Sequence, residues 1–273
     1  MHGAGNDFII INNIASDIPE TDYAPLARKL CASHTSIGAD GLMVVVKAEK
    51  GGDYGMRFYN SDGSVGEMCG NGARCIARYG YENGLAGSVQ RIETTAGLVT
   101  GERLSRRIYK VRLNDPTLIV PRKKLLLDGQ ELELGYIELG SPGIPHAVVL
   151  LPDMDTRDRD ALRELGRRLR FYPEFPKGAN VNFVKQLGEN HLKILTYERG
   201  VEDFTLACGT GSGSVAAICH ILGLTGSNNI RLENRGGELS VDLKRDGDRV
   251  FDIYLSGPTN LVCQGEILDE DLN

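Results

Sequence analysis

Two short stretches, Cys69-Gly70-Asn71-Gly72 and Cys208-Gly209-Thr210-Gly211, each set a sulfur ahead of glycines at alternate positions. Small and apolar residues follow: Ala73, Ile76 and Ala77 after the first, Ala216, Ala217, Ile218 and Leu222 after the second. Both runs are expected as helices, from near Cys69 to about Gly84 and from near Cys208 to about Gly223. A cysteine at a helix start meets unpaired backbone N–H groups and the positive end of the helix dipole. Both favour the thiolate. Glycine at the next positions keeps those amides open to an anion. Each stretch therefore combines a reactive sulfur with a cradle for a carboxylate or phosphate.

One such stretch suggests a nucleophile, whereas two suggest proton transfer at a single carbon. If the halves of the chain close on a small molecule, its carboxylate would sit between two helix starts. A thiolate on one face would remove the Cα proton and a thiol on the other would deliver one. Two helix dipoles aimed at the carboxylate would stabilise the carbanion. That chemistry calls for no cofactor and no metal. Cys31, Cys75, Cys219 and Cys263 lack the glycine pattern and are expected in the core, where cysteine is commonly found. The spacing of Cys69 and Cys75, and His220 beside Cys219, suit zinc poorly, and there is no Cys-x-x-Cys. The glycines at 209, 211 and 213 miss the spacing of a dinucleotide fingerprint, and the P-loop lysine is missing.

The elements that must position these residues are mostly strands. β-Branched or aromatic runs bounded by turn residues lie at 8–11, 42–46, 54–59, 108–113, 147–151, 181–184, 192–197, 239–243 and 251–255. Two further helices are expected. Thr21 would cap one with an apolar face of Tyr23, Leu26, Ala27, Leu30 and Cys31. The other, over 156–170, sets Ala161, Leu162, Leu165 and Leu169 against a charged, solvated face. Each cysteine helix follows a strand ending in a polar residue nine positions earlier, Asn60 or Arg199, and the two cysteines are 139 positions apart. An internal duplication accounts for this. The expected fold is α+β: two pseudo-symmetric β-rich domains, each wrapped round a central helix, with the active site in the cleft between them. The domains are expected at 1–115, joined by a returning C-terminal segment 257–273, and at 116–256, with Pro116 to Pro121 as the joint.

Composition sets the limits. The chain has 273 residues, 41% hydrophobic and 25% charged, with 34 Gly and no Trp. That supports a real core and argues against wholesale disorder. The net charge of -6 argues against a nucleic-acid partner. Six Cys are too few for a disulfide scaffold. Apolar runs reach only about five residues, far short of a membrane span, and no signal-peptide pattern opens the chain. A cytoplasmic location is expected, and a homodimer is the general expectation for small enzymes.

Residues spread along the chain then resemble one family. Met1-His2-Gly3-Ala4-Gly5-Asn6-Asp7-Phe8, Asn60-Ser61-Asp62-Gly63-Ser64, Met68-Cys69-Gly70-Asn71-Gly72-Ala73-Arg74-Cys75, Pro145-His146, Gly178-Ala179-Asn180, Tyr197-Glu198-Arg199-Gly200 and Ala207-Cys208-Gly209-Thr210-Gly211 all resemble diaminopimelate epimerase, in that family's order. The resemblance implies interconversion of LL- and meso-2,6-diaminopimelate on the route to lysine and peptidoglycan. It implies Cys69 and Cys208 as the acid/base pair, and His146 and Glu198 as residues that assist. Gly70, Asn71, Gly209 and Thr210 would hold the reacting carboxylate. Asn6, Asn60, Asn180, Glu198 and Arg199 would be substrate contacts, with Arg199 on the distal carboxylate.

The residues leave alternatives open. Asn6 and Asn60 could instead shape turns, and His146 could be a satisfied structural histidine. Glu198 and Arg199, as strand neighbours, would point to opposite faces unless the strand ends there. Three departures from the family pattern stand out: Ile144 where Asn is frequent, Gly41 where some members carry Gln, and a start at the His-Gly motif, which the family usually precedes with a short strand. A racemase of another amino acid, such as histidine, fits the same chemistry. A non-catalytic thiol switch or anion-binding protein would use the same helix starts.

Overall fold

Extended, β-branched runs and a few small-residue helices dictate the architecture. The computed structural model describes residues 1–66 and 69–268. Met68 and residues 269–273 of the C-terminal segment lie outside the described residues. The chain divides into two compact units, Met1–Val111 with the segment from Gly257 onward, and Arg112–Ser256.

In the first unit β1 (His2–Gly3), β2 (Asn6–Asn12), α1 (Tyr23–Leu30), β3 (Gly41–Val46), β4 (Tyr54–Asn60), α2 (Gly70–Glu82), β5 (Val89–Thr94), β6 (Gly97–Arg103) and β7 (Ile108–Arg112) follow in order. In the second come β8 (Pro116–Leu127), β9 (Gln130–Leu139), β10 (Ile144–Leu150), α3 (Arg159–Arg170), β11 (Asn180–Gly188), β12 (His191–Glu198), β13 (Asp203–Phe204), α4 (Gly209–Ile221), β14 (Asn229–Asn234), β15 (Gly237–Asp246) and β16 (Arg249–Pro258).

The two units repeat one pairing scheme. From β1 to β7, successive neighbours pair antiparallel, parallel, antiparallel, parallel, antiparallel and antiparallel. From β9 to β16, with the short β13 set aside, the same six pairings recur in the same order. The helices fall at matching points, α1 and α3 before the third strand of each series, α2 and α4 after the fourth. Parallel pairing needs a crossover, and the helices supply it.

Both central helices pack tightly on their sheets. In α2, Cys75, Ile76 and Ala77 are buried with Tyr54, Met56, Ile92 and Tyr109. Gly101 lets the strand approach, since a Cβ there would sit 2.9 Å from that of Ala77. In α4, every residue from Gly211 to Cys219 is buried, as a helix with small residues all round requires. Gly135 plays the corresponding part, because a Cβ there would lie 2.5 Å from Ile218. A separate cluster of Leu162, Leu169, Phe175, Phe183 and Tyr197 holds α3 to the second unit.

Several expectations need correction. Pro116 to Pro121 is no joint but the start of β8, whose hydrogen-bonded neighbour among the described residues is β9. Proline is tolerated at a strand's first residue and at bulges on an edge; Pro116 opens the strand, and the register shifts between Val120 and Lys123, beside Pro121. The unit boundary falls earlier, between Val111 and Arg112. Thr21 does not cap α1; a short 3-10 turn at Glu20–Asp22 precedes the helix, and Thr21 Oγ1 donates to Asp22 Oδ1. The helix expected from 156 begins at Arg159, capped by Asp158, whose carboxylate accepts from Ala161 N–H at 2.9 Å. Cys263 is exposed, unlike the buried Cys31, Cys75 and Cys219.

The segment beyond Gly257 runs beside the first strand. Thr259 N–H donates to Arg107 O, and His2 and Asn260 exchange backbone bonds. The buried Arg78 of α2 donates to Thr259 O at 2.9 Å.

Candidate active site

Each cysteine of interest is a helix N-cap. Cys69 and Cys208 have extended backbones, and each Sγ accepts from the third amide of its helix, Gly72 or Gly211, at 3.4 Å. A sulfur thus takes the place that Ser, Thr, Asp or Asn fills in an ordinary cap. Three of the other cysteines are held as thiols: burial pushes Cys75 and Cys219 up to about 12 and Cys31 to about 11.

In the first unit a chain of oriented amides leads to Cys69. Arg74, one turn along α2, is wholly buried and donates to Asn71 Oδ1 at 2.9 Å and to Gly70 O at 3.2 Å. Asn71 therefore turns its Nδ2 toward Asn6 Oδ1, at 3.5 Å. Asn6 in turn gives its own Nδ2 to Asp40. Its Oδ1 is left facing sulfur and accepts from Cys69 Sγ at 3.3 Å. Burial pulls Arg74 down to about 10, and the charge it keeps interacts with Cys69. Burial pushes the Asp40 carboxyl above its ordinary range, against the bond from Asn6.

The register of β10, β11 and β12 builds the second unit's site. His146 pairs with Asn180, and Asn182 pairs with Thr196, so His146, Asn180, Asn182, Thr196 and Glu198 share one sheet face. The first turn of α4 meets that face, where a Cβ on Gly211 would come within 2.5 Å of Asn182 Oδ1. His146 Nε2 lies 3.1 Å from Thr210 Oγ1, which lies 3.6 Å from Cys208 Sγ. Burial first, and the Arg199 charge second, pull His146 down to about 3, so its ring is neutral. Asn180 bonds Pro145 O and receives Arg199 N–H at 2.9 Å.

The structure thus gathers Cys69, Gly70, Asn71 and Asn6 in one unit, and Cys208, Gly209, Thr210, His146 and Asn180 in the other. Asn60 is engaged in its own turn, donating to Ser64 Oγ at 2.9 Å. Glu198 is the last residue of β12 and accepts from Thr205 Oγ1 at 2.8 Å. Arg199 follows the strand end, which removes the constraint of opposite faces; its guanidinium donates to Lys177 O. At Gly41 a Cβ would press on the Phe58 ring at 2.6 Å, so this position admits no side chain without repacking. Ile144 opens β10 opposite Leu139. Arg74, Asp40, Asn182 and Thr196 were missed. Asn182 could have been found from alternation, two residues after Asn180, whereas nothing in the sequence marks Arg74 as enclosed.

Similar architectures are found among solved structures. A phenazine biosynthesis PhzF-family protein of Bacillus anthracis superposes with a TM-score of 0.70 at 16% identity, covering 94% of this chain and 92% of that one. A hydroxyproline epimerase of Agrobacterium vitis gives 0.69 at 16% identity, covering 99% and 92%. The chain shares its β-rich fold with these two proteins. In sequence, residues 1–110 and 140–262 match the diaminopimelate epimerase family. The diaminopimelate epimerase of Aquifex aeolicus is 39% identical over 100% of this chain and 98% of its own. That of Methanothrix thermoacetophila is 37% identical over 100% and 96%. The chain belongs to the diaminopimelate epimerase family, and it is an isomerase.

Proposed function

We propose that Cys69 and Cys208 are the acid/base pair that inverts the α-carbon of diaminopimelate, interconverting its LL and meso forms. One sulfur, as thiolate, takes the α-proton, and the other, as thiol, delivers a proton to the opposite face. The next turnover in the reverse direction restores both. The observation that carries this reading is the repeat itself. Equivalent helices of two duplicated units both begin at a cysteine whose sulfur is their cap. A duplicated nucleophile has no use in single-sided chemistry, whereas stereoinversion needs a proton donor and acceptor on two faces.

The remaining residues fall into roles by position. Gly70 and Asn71, with Gly209 and Thr210, carry the first amides of their helices, which suit the reacting carboxylate and the negative charge that spreads onto it. Asn6 lies beside the Cys69 sulfur, and Asn180 holds the backbone of Arg199, both as polar contacts for the substrate. Arg199, past the end of its strand, suits the distal carboxylate. His146 and Glu198 support the chemistry, and Asn60 bounds the substrate from its turn. The same reading places the enzyme in lysine and peptidoglycan precursor synthesis, working in the cytoplasm as a homodimer.

The test is incubation of the purified protein with LL-diaminopimelate in heavy water. Meso product carrying α-deuterium is expected. No meso isomer and no deuterium in either isomer would refute the proposal.

A further inference from the structure

Asn182 is fully buried behind His146. Its Nδ2 donates to Ala147 O at 3.1 Å and lies 3.5 Å from Asn180 O. Both are carbonyls, which only accept, so the orientation of the amide is fixed. Thr196 Oγ1 donates to its Oδ1 at 2.9 Å from the other side. The same Nδ2 lies 3.3 Å from His146 Nδ1. A proton on that ring nitrogen would meet an N–H, so Nδ1 is the bare acceptor. A neutral imidazole then carries its proton on Nε2. That N–H donates to Thr210 Oγ1, and the hydroxyl's own proton is left to point at Cys208 Sγ.

We propose that Asn182, backed by Thr196, is a positioning residue that fixes the Nε2–H tautomer of His146, so that Thr210 donates its hydroxyl proton to the sulfur of Cys208. A donor at that point stabilises thiolate over thiol. The opposite tautomer would present a bare Nε2, capture the Thr210 proton and leave Cys208 facing a lone pair, which favours S–H. The inference rests on the reading of Cys208 as an acid/base thiol.

Two measurements on the full-length protein test it, and neither reads turnover. The first is long-range ¹H–¹⁵N correlation of histidine-labelled wild type, with His146 assigned from His146→Gln. A protonated Nε2 and bare Nδ1 are expected near neutral pH, and a protonated Nδ1 overturns the proposal. The second is the pH dependence of iodoacetamide alkylation of each cysteine in Asn182→Asp, followed by peptide mass spectrometry. An aspartate accepts from Nδ1 and reverses the tautomer. The Cys208 midpoint should rise by about one pH unit, slowing alkylation roughly tenfold near neutrality, with the Cys69 profile unchanged. An unmoved Cys208 midpoint in a folded variant overturns the proposal; should the variant not fold, the wild-type ring spectrum decides alone. Full epimerase activity in Cys208→Ala would instead sink the proposed function and leave the tautomer result standing.

Discussion

Arg74 Nη2 donates to Asn71 Oδ1 at 2.9 Å with the guanidinium wholly enclosed. This bond sets the direction of the relay that ends at Cys69. With Asn71 Oδ1 occupied by Arg74, only Nδ2 can reach Asn6, and only Asn6 Oδ1 can then face the sulfur. Arg74→Met removes the side-chain donors that hold Asn71 Oδ1 and reinforce Gly70 O. It should cost about 1–3 kcal/mol in urea unfolding and at least about tenfold in kcat through loss of orientation. Arg74→Lys keeps a charge without the forked geometry and should fall between. Unchanged kcat in Arg74→Met would show that the orientation of Asn71 does not matter to turnover.

The cysteines should separate cleanly by position. Cys69→Ala and Cys208→Ala should each abolish turnover of both isomers while leaving circular dichroism unchanged. Cys75→Ala, six residues along the same helix and fully buried, should keep its activity and lose about 1 kcal/mol, comparable to a buried methylene. Steady-state rates and urea midpoints of the three variants decide. Turnover at wild-type rate in Cys208→Ala would be incompatible with two-base inversion.

The sequence carried the repeat because its signal is local. A cysteine followed by alternating glycines and a small-residue run can be read without knowing what surrounds it, and both helices start at those cysteines. Nine strands were legible for the same reason, being apolar and β-branched. The hairpin of β8 and β9 was not, since its alternation is written in Arg122, Lys124, Glu131 and Glu133, which face solvent and pair across the strands. The Asp128-Gly129 turn, with both residues at positive φ, was a usable hairpin signal. The candidate site was legible where motif residues lie in the first turn of a capped helix, as at Asn71 and Thr210. It was not where a long-range contact supplies the group: Asp40 reaches Asn6 across 34 positions, and only the parallel register of β10 and β11 brings Asn182 to His146.

Glycines three residues beyond each sulfur give a further contrast. A Cβ at Gly211 would sit 2.5 Å from Asn182 Oδ1 and 3.2 Å from Cys208 Sγ, both held in place. A Cβ at Gly72 would sit 1.9 Å from the Cε of Met43, the end of a flexible side chain. Gly211→Ala should therefore lower kcat by at least about a hundredfold, by displacing the sulfur and its relay. Gly72→Ala should act chiefly on stability, costing about 1–3 kcal/mol as Met43 repacks. Paired measurement of kcat and unfolding free energy checks this, and a Gly211→Ala variant less stable yet fully active would contradict it.

His146 should leave a mark on the acid side of the stability curve. In the unfolded chain a histidine titrates near 6.5; in the fold, burial and the Arg199 charge hold it down to about 3. A depressed folded value means that the unfolded state binds the extra proton first. The stability contributed by the neutral ring is therefore fully present above about pH 6.5 and is lost as pH falls toward 3, by up to about 1.4 kcal/mol per pH unit. His146→Gln lacks this component and keeps every other titrating group. Between pH 7 and pH 5 the unfolding free energy of the wild type should fall by about 2 kcal/mol more than that of the variant, so any deficit of the variant at pH 7 narrows on acidification. Urea denaturation of both proteins at half-unit pH steps measures the difference. Parallel curves would mean that solvent protons reach the imidazole in the folded state, and that the ring is not held neutral by its enclosure.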